Sequence, residues 1–287
     1  MPHPSTPSPV RSALDRALVR FDRTSPTTFE GAVAPGPELV GPPGRLHGGL
    51  HPMLRLFLPL SKLGVSESLP LHVELSLRAA IPLEATTTFT GDLREDASGL
   101  VVHTRFGDQG RLDAEARSTL GDAGLEAFAR DHRECTSEPE VKNILARGSV
   151  PMRIGRKTVL MDADTAFFER ETEVGGYRTT DGGLDEAFAG VVLDLIGAVA
   201  VAAVHKTKVF TTHLSLDFHA RKLPPGTTLL ALSSIARTFP DTESGVKPVE
   251  VNGVLVPPTR VPVLLASSDL STPFVSGLVT VVPVRTA

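Results

Sequence analysis

The sequence contains the segment Gly41-Pro-Pro-Gly-Arg-Leu-His-Gly-Gly49, which leads directly into an apolar segment. Pro42 and Pro43 fix φ and exclude a helix, whereas the two final glycines let the backbone approach another group closely. The first N–H groups of a helix have no partner within the helix, and the helix dipole attracts negative charge to them. The stretch therefore predicts a rigid turn, a helix start and a site for a negatively charged oxygen.

The second half of the chain repeats parts of the first in the same order. His47-Gly-Gly-Leu-His51 is matched 134 positions later by Asp181-Gly-Gly-Leu-Asp185, and Leu75-Ser-Leu77 is matched 139 positions later by Leu214-Ser-Leu216. The second half has thus gained about one helical turn, or a few loop residues, between the glycines and the next strand. Two matches with compatible spacing predict an internal duplication.

Turn signals and apolar periodicity divide the chain into a disordered leader (1–11), a first domain (12–135), a linker (136–151) and a second domain (152–287). The first domain is predicted to contain helices at 12–21, 50–63 and 121–135 and strands at 29–33, 71–77, 86–93, 100–106 and 112–118. The second is predicted to contain a helix at 184–204 and strands at 165–173, 209–218, 228–238, 249–256, 261–266 and 277–284. Pro52 and Pro59 predict that the helix at 50–63 is short or broken.

Composition excludes several classes of protein. A net charge of −4 lacks the basic excess that recruits nucleic acid or an anionic membrane. The single cysteine, Cys135, cannot form an internal disulfide, and the opening residues lack the features of a signal peptide. The apolar run 187–204 contains Asp194, which favours a buried helix over a membrane span. We therefore expect a cytoplasmic protein with no nucleic-acid or membrane partner.

These features resemble the hotdog-fold thioesterases of the phenylacetate type, in which an antiparallel sheet wraps around a long helix. The resemblance is carried by His47–Gly49 with its Gly-Pro-Pro-Gly lead-in, and by the segment Thr212–Thr227 after the second helix. The first half has the loop that is more similar to the family pattern, and the second half has the helix, strand and turn that are more similar to it. The resemblance implies an α+β double hotdog, in which one polypeptide supplies what is usually a dimer.

The resemblance also implies a reaction, the hydrolysis of an acyl-CoA thioester between the two central helices without a cofactor. In the family, a glycine N–H holds the thioester oxygen, and a carboxylate on the opposite helix activates water or attacks directly. That carboxylate is expected seven residues after the second glycine, which gives Leu56 and Gly190, and neither is acidic. Asp194 lies one helical turn beyond Gly190, and the second half of the chain has gained about one turn in this region. Asp194 is therefore the candidate for the catalytic carboxylate.

The expected site is asymmetric, with Gly49 as the oxyanion donor, His47 shaping the loop and Asp194 arriving from the other half. The other loop, with Asp181 in place of His47 and Leu56 in place of the carboxylate, is expected to be inactive. Further substrate-binding candidates are polar or close-packing residues near the two glycine loops: Gly48, Arg45, Arg221 and Lys222. The last two carry charges that suit the phosphates of coenzyme A.

Each candidate also has a structural interpretation. Asp194 could bond a neighbouring backbone group or hydroxyl, and His47 could be a structural loop residue. Asp185 and Glu186 are better suited to capping the helix than to catalysis. His47 and His51 have the spacing of a helical metal chelate, but no third ligand is suggested, so no metal is expected.

Two rival functions stay open at this point. One is a noncatalytic acyl-CoA or acyl-group binding protein of the same fold. The other is a hotdog hydratase or dehydratase, which the sequence disfavours because it contains no paired Asp and His motif of the expected kind. The sequence also leaves open whether the pseudodimer pairs further into a homo-oligomer.

Overall fold

The computed structural model describes residues 9–41, 44–64, 71–77, 80–96, 99–107, 114–117, 150–154, 157–161, 182–205, 207–220, 222–224, 227, 229–233, 238–242, 245–251, 253–267 and 271–284. The predicted helix at 121–135, the predicted strand at 165–173 and most of the predicted linker lie outside these residues, as does Cys135.

The described elements are mainly strands, with several short helical segments and one long helix. The helical segments are α1 (Pro9–Ala17), 3₁₀ turns at Pro37–Leu39 and Gly48–Leu50, a π-helical turn at Met53–Phe57, α2 (Leu58–Lys62) and α3 (Glu186–His205). The first six strands are β1 (Leu18–Arg23), β2 (Thr28–Val33), β3 (Leu71–Ser76), β4 (Thr87–Asp96), β5 (Gly99–Phe106) and β6 (Ala114–Arg117). They are followed by β7 (Val150–Ile154), β8 (Lys157–Met161), β9 (Val209–Phe218), β10 (Leu229–Ser233), β11 (Phe239–Pro240), β12 (Val249–Val251), β13 (Val254–Val256), β14 (Thr259–Ser267) and β15 (Pro273–Pro283).

A single large sheet joins the two halves of the chain, and its main path runs β1-β2-β4-β5-β6-β3-β9-β15-β14-β10-β7-β8. The halves meet where β3 pairs antiparallel with β9. Outward from this seam the order is β3-β6-β5-β4-β2 on one side and β9-β15-β14-β10-β7 on the other. In this sheet, the described strands of the first half of the chain thus lie on one side of the seam and those of the second half on the other.

The core lies between the sheet and the two helical segments. In β3 and the second half of β9, alternate residues are buried, namely Val73, Leu75, Leu214, Leu216 and Phe218. Helix α3 packs against β9, β10, β14 and β15, which explains why it is apolar on nearly all sides. Among the described residues, no helix combines the length and apolar character needed to cross a membrane.

The first helical segment is interrupted, as Pro52 and Pro59 predict. It starts as a 3₁₀ turn, widens at 53–57 and closes as α2, with the Leu58 N–H donating to the Met53 carbonyl five residues earlier. Pro59 has no N–H for the carbonyl of Arg55, and its ring would collide with that carbonyl in a regular α-helix. The π-helical turn relieves this collision and shifts the following side chains around the helix axis.

Three details differ from the sequence prediction. The helix predicted at 12–21 ends at Ala17, because Leu18–Arg23 pairs instead with β2 as a strand. The strand predicted at 249–256 is the hairpin β12–β13, which turns at Gly253 with φ of +79°. Strands β7 and β8, which pair at 150–161, were not predicted.

Candidate active site

The loop before the first helical segment is held by backbone hydrogen bonds. The Gly41 N–H donates to the Arg45 carbonyl at 2.9 Å, and the His47 N–H donates to the Leu39 carbonyl at 3.1 Å. Gly44 has φ of +70°, the left-handed conformation that glycine tolerates. A Cβ at Gly41 would lie 2.6 Å from the Cα of His47, so the loop closes tightly on itself. His47 is consequently fixed relative to the sheet.

His47 caps the 3₁₀ turn that follows it. Its Nδ1 accepts a hydrogen bond from the Gly49 N–H at 3.2 Å, while the His51 N–H donates to the Gly48 carbonyl. The Gly49 N–H, the predicted oxyanion donor, is therefore directed at a side chain of the protein in this structure.

Two glycines bring this loop onto α3. A Cβ at Gly49 would lie 2.6 Å from the carbonyl carbon of Gly190, and the Cβ position of Gly190 faces the Gly49 carbonyl oxygen. Any larger residue would force the two backbones apart. The family spacing predicted a carboxylate at position 190. Gly190 instead makes this close backbone contact with Gly49.

Asp194 lies one turn further along α3 and faces the same loop. Its Oδ2 is 3.5 Å from Nδ1 of His47, and a Cβ at Gly48 would lie 2.7 Å from Oδ2. Its Oδ1 accepts a hydrogen bond from the hydroxyl of Thr211, and the residue is only 5% exposed. The structure thus brings together four of the predicted site residues: His47, Gly48, Gly49 and Asp194.

The protonation of Asp194 is set by opposing effects. Burial raises the pKa of Asp194 above its usual range, whereas the charge that His47 carries when it is protonated and hydrogen bonds from Thr211 and the Gly49 backbone oppose the rise. A carboxyl group with a raised pKa is a stronger base than an ordinary aspartate, and a better proton donor at neutral pH. Both are properties of acid–base catalysts.

Thr211 was not predicted from the sequence, although it is a direct partner of Asp194. It sits in β9 where the pairing with β15 shifts register between Thr280 and Val281. A bulge of this kind changes the direction of nearby side chains and is common beside active sites. A run of strand residues without a turn signal gives no indication of it.

The comparisons with known proteins agree with this architecture. A tesB protein of Mycobacterium avium subsp. paratuberculosis superposes with a TM-score of 0.53 at 10% identity, over 96% of this chain and 98% of that one. A Thermobifida fusca protein assigned as a thioesterase II gives 0.51 at 12% identity, over 99% of this chain and all of that one (100%). The dehydratase domain of the polyketide PpsC from Mycobacterium tuberculosis gives 0.50 at 12% identity, over 94% of this chain and 99% of that one.

The chain has the hotdog fold. At these identities the structural likeness establishes the fold and does not by itself assign an activity. No family model matches the sequence, and no curated protein sequence does so either.

The hotdog core also contains a buried row of basic side chains behind His47. His51 and Arg55 follow at intervals of four residues, are 2% and 1% exposed, and are joined by a hydrogen bond of 2.9 Å from Arg55 Nε to His51 Nδ1. The guanidinium carbon of Arg55 lies 4.7 Å from the centroid of the Phe106 ring. The four-residue spacing was visible in the sequence, but the apolar neighbours gave no indication that an arginine would be buried there.

The other predicted residues lie elsewhere in the hotdog fold or outside the described residues. Arg45 is exposed on the loop, and Lys222 is exposed beside the second glycine pair, where its backbone bridges to Gly183. Asp185 caps α3 through the Phe188 N–H at 3.0 Å, as predicted. Arg221 and Asp181 fall outside the described residues.

Leu56, at the position where a second carboxylate would be expected, is fully buried. Within the described part of the chain, no group of three or more His, Cys, Asp or Glu side chains is arranged to hold a metal ion.

Proposed function

We propose that this chain hydrolyses an acyl-CoA thioester at a composite site between the two halves of a double hotdog. The observation that carries the proposal is the buried carboxylate of Asp194 held against the loop His47–Gly49. A buried carboxylate with a raised pKa, next to a helix start, is suited to removing a proton from water beside a developing oxyanion.

In the proposed reaction, Asp194 takes a proton from water as the water oxygen attacks the thioester carbon. The carbonyl π electrons move onto the oxygen and then return, which expels the thiolate. The proton held by Asp194 passes to the thiolate sulfur, and Asp194 is regenerated. Thr211 fixes Oδ1 through its hydroxyl and leaves Oδ2 for the water. Because a thiolate is a good leaving group, the reaction does not depend on a strong acid.

A second candidate, hydration or dehydration of an acyl thioester at C2–C3, is favoured by a specific observation. His47 and Asp194 form the His and Asp pair that the sequence does not show as a motif, because 147 positions separate them. Such a pair can remove a proton from carbon and donate one to a leaving hydroxyl. We rank this second because Nδ1 of His47 is engaged by the Gly49 N–H.

The deciding experiment measures thiol release from short, medium, long and aromatic acyl-CoAs by the wild-type protein and Asp194→Asn. We expect turnover in the wild type and a fall of about 10²- to 10⁴-fold in the variant, since the amide cannot accept the proton. Asp185→Asn is the matched control, because it changes a buried carboxylate at the start of the same helix to another good cap and should retain turnover.

Other outcomes would identify the rivals. Loss of enoyl absorbance from crotonyl-CoA with the thioester intact would favour the hydratase. Binding of an acyl-CoA without turnover would favour a noncatalytic acyl-binding protein. Equal rates in wild type and Asp194→Asn would exclude Asp194 as the base.

Several finer features are part of the same proposal. Arg45, Arg221 and Lys222 are proposed to meet the phosphates of coenzyme A, and the loop at 181–183 is proposed to be inactive. We further propose a cytoplasmic location, with acyl-CoA as the partner and neither nucleic acid nor membrane bound.

A further inference from the structure

His51 is a buried polar residue that the mechanism above does not use. It lies one turn after His47 at the start of the first helical segment and is 2% exposed. Side chains in a helix lean towards its N-terminus, so we expect the imidazole of His51 to lie over the turn that contains Gly48 and Gly49. This is the turn that contacts Asp194.

The hydrogen bond from Arg55 determines the tautomer of His51. An arginine Nε always carries a proton and can only donate, so Nδ1 of His51 must be the unprotonated acceptor. Burial, followed by the charges of Arg55 and His47, lowers the pKa of His51 well below its usual value, and the ring is neutral at pH 7. The ring proton is therefore on Nε2.

The Nε2–H group of His51 has no acceptor among the residues that the structure describes. The hydrogen bond from Arg55 is the one side-chain hydrogen bond that His51 makes with them, and it uses the other nitrogen. The two ring nitrogens point in widely divergent directions, so Nε2–H points away from Arg55. A donor on a buried side chain that has no acceptor in the protein is available to a water or a ligand.

A thioester substrate needs a hydrogen-bond donor for its carbonyl oxygen. The donor predicted from the sequence, the Gly49 N–H, is already hydrogen-bonded within the protein. The Gly49 N–H donates to Nδ1 of His47 and also interacts with Asp194. It cannot serve a substrate oxygen without giving up these bonds. An oxyanion is best stabilised by a donor that is already oriented and needs no rearrangement.

We propose that the Nε2–H of His51 donates a hydrogen bond to the carbonyl oxygen of the thioester substrate. The bond strengthens as negative charge develops on that oxygen when the nucleophile attacks. It weakens again when the electron pair returns and the carbon–sulfur bond breaks. No proton leaves His51, and the positive charge of Arg55 behind the ring strengthens the donor. The inference rests on the proposed function in one respect, that the substrate is a thioester.

The test uses a matched pair of variants. In His51→Gln the amide nitrogen occupies approximately the position of Nε2, so the donor is kept and the acceptor for Arg55 is lost. In His51→Asn the amide oxygen replaces Nδ1, so the acceptor for Arg55 is kept and the donor is lost. Steady-state thiol release and thermal unfolding are measured for both, with the acyl-CoA that the wild type hydrolyses fastest.

We expect His51→Asn to lower kcat by about 10²- to 10³-fold with KM changed less than about threefold, because the bond matters most in the transition state. We expect His51→Gln to retain most of kcat and to unfold at a lower temperature. The reverse order, with His51→Asn active and His51→Gln impaired, would overturn the proposal and assign His51 a structural role as the partner of Arg55.

A second measurement does not depend on turnover and so separates this inference from the proposed hydrolysis. The carbonyl stretch of octanoyl-CoA labelled with ¹³C at C1 is recorded by difference infrared spectroscopy, bound to Asp194→Asn with and without His51→Asn. A shift to lower wavenumber that disappears with His51→Asn supports the proposal even if the wild type releases no thiol. The same frequency in both proteins overturns it.

Discussion

At the scale of single residues, the charge on Asp194 should determine how the reaction depends on pH. A base acts in its deprotonated form, so activity should fall as the pH falls through the raised pKa of Asp194. His47→Asn keeps an acceptor for the Gly49 N–H but removes a ring that favours the carboxylate when it is protonated. The pKa of Asp194 should then rise, and the acid limb of a kcat–pH profile should move to higher pH. An unmoved limb would show that His47 does not act on Asp194 through its charge.

The sequence allowed part of this site to be predicted at the same scale. Spacing from the glycine pair led to Asp194, because residues four apart share a helix face. Thr211 could not be predicted, since its direction depends on a bulge in β9 that the residue pattern does not reveal. The hydrogen bond from the Gly49 N–H to Nδ1 of His47 could not be predicted either, because it depends on the rotamer of His47.

At the scale of elements, the contact between Gly49 and Gly190 positions the loop on α3. Alanine within a helix is normally about 1 kcal/mol more favourable than glycine. In Gly190→Ala the new Cβ would instead meet the Gly49 carbonyl oxygen, and we expect a loss of about 1–3 kcal/mol of stability from overpacking. Thiol release should fall as well, because the loop would move away from Asp194.

Gly197→Ala is the matched control for that substitution. Its Cβ would lie 2.8 Å from Cβ of Val279, so it also overpacks α3, but against a strand and not against the loop. We expect lower stability with thiol release per folded molecule retained, measured by thermal unfolding and steady-state kinetics. A stable Gly190→Ala protein with normal turnover would show that the close contact is not required.

The elements themselves were largely predictable where their periodicity was regular. Strands β2 to β5 and helix α3 have clear patterns, and the prolines indicated the interruption of the first helical segment. The failures occurred where pairing partners decided the outcome. Leu18–Arg23 has residues suited to a helix, yet β2 provides a strand partner for it.

At the scale of the whole molecule, the seam between β3 and β9 carries a charged cluster on its outer face. His72 is 2.7 Å from Asp217, and Glu74 lies between His72 and His213. Hydrogen bonds to Asp217 and then Glu74 raise the pKa of His72 to about 9. A raised histidine pKa adds stability below the unfolded value, and this stability is lost as the pH rises through the folded value.

We therefore expect His72→Gln to lower the free energy of unfolding at about pH 6 by roughly 0.5–1 kcal/mol, after allowance for solvent screening. The difference should decline between pH 6.5 and about 9. Urea unfolding across this range measures it, and Asp217→Asn should remove most of the same pH-dependent difference. A difference that is constant with pH would show that the seam does not depend on the charge of His72.

The pairing of β3 with β9 also illustrates what the sequence could reveal about the whole molecule. Matching Leu-Ser-Leu triplets begin in these two strands, so the similarity between the two segments was visible in the sequence. That the two triplets pair with each other, Leu75 opposite Leu214, follows from the three-dimensional arrangement of the halves.

The loop His47–Gly49 and the helix bearing Asp194 contact each other within one polypeptide. In an assembly of separate copies, such a contact would be lost on dilution, and a defective copy could inactivate a normal one by pairing with it. Covalent linkage keeps the two surfaces at a high effective concentration however scarce the protein is. In a cell that carried one damaged and one intact gene for this chain, the intact copies would still bring this loop and this helix together, because both belong to the same polypeptide.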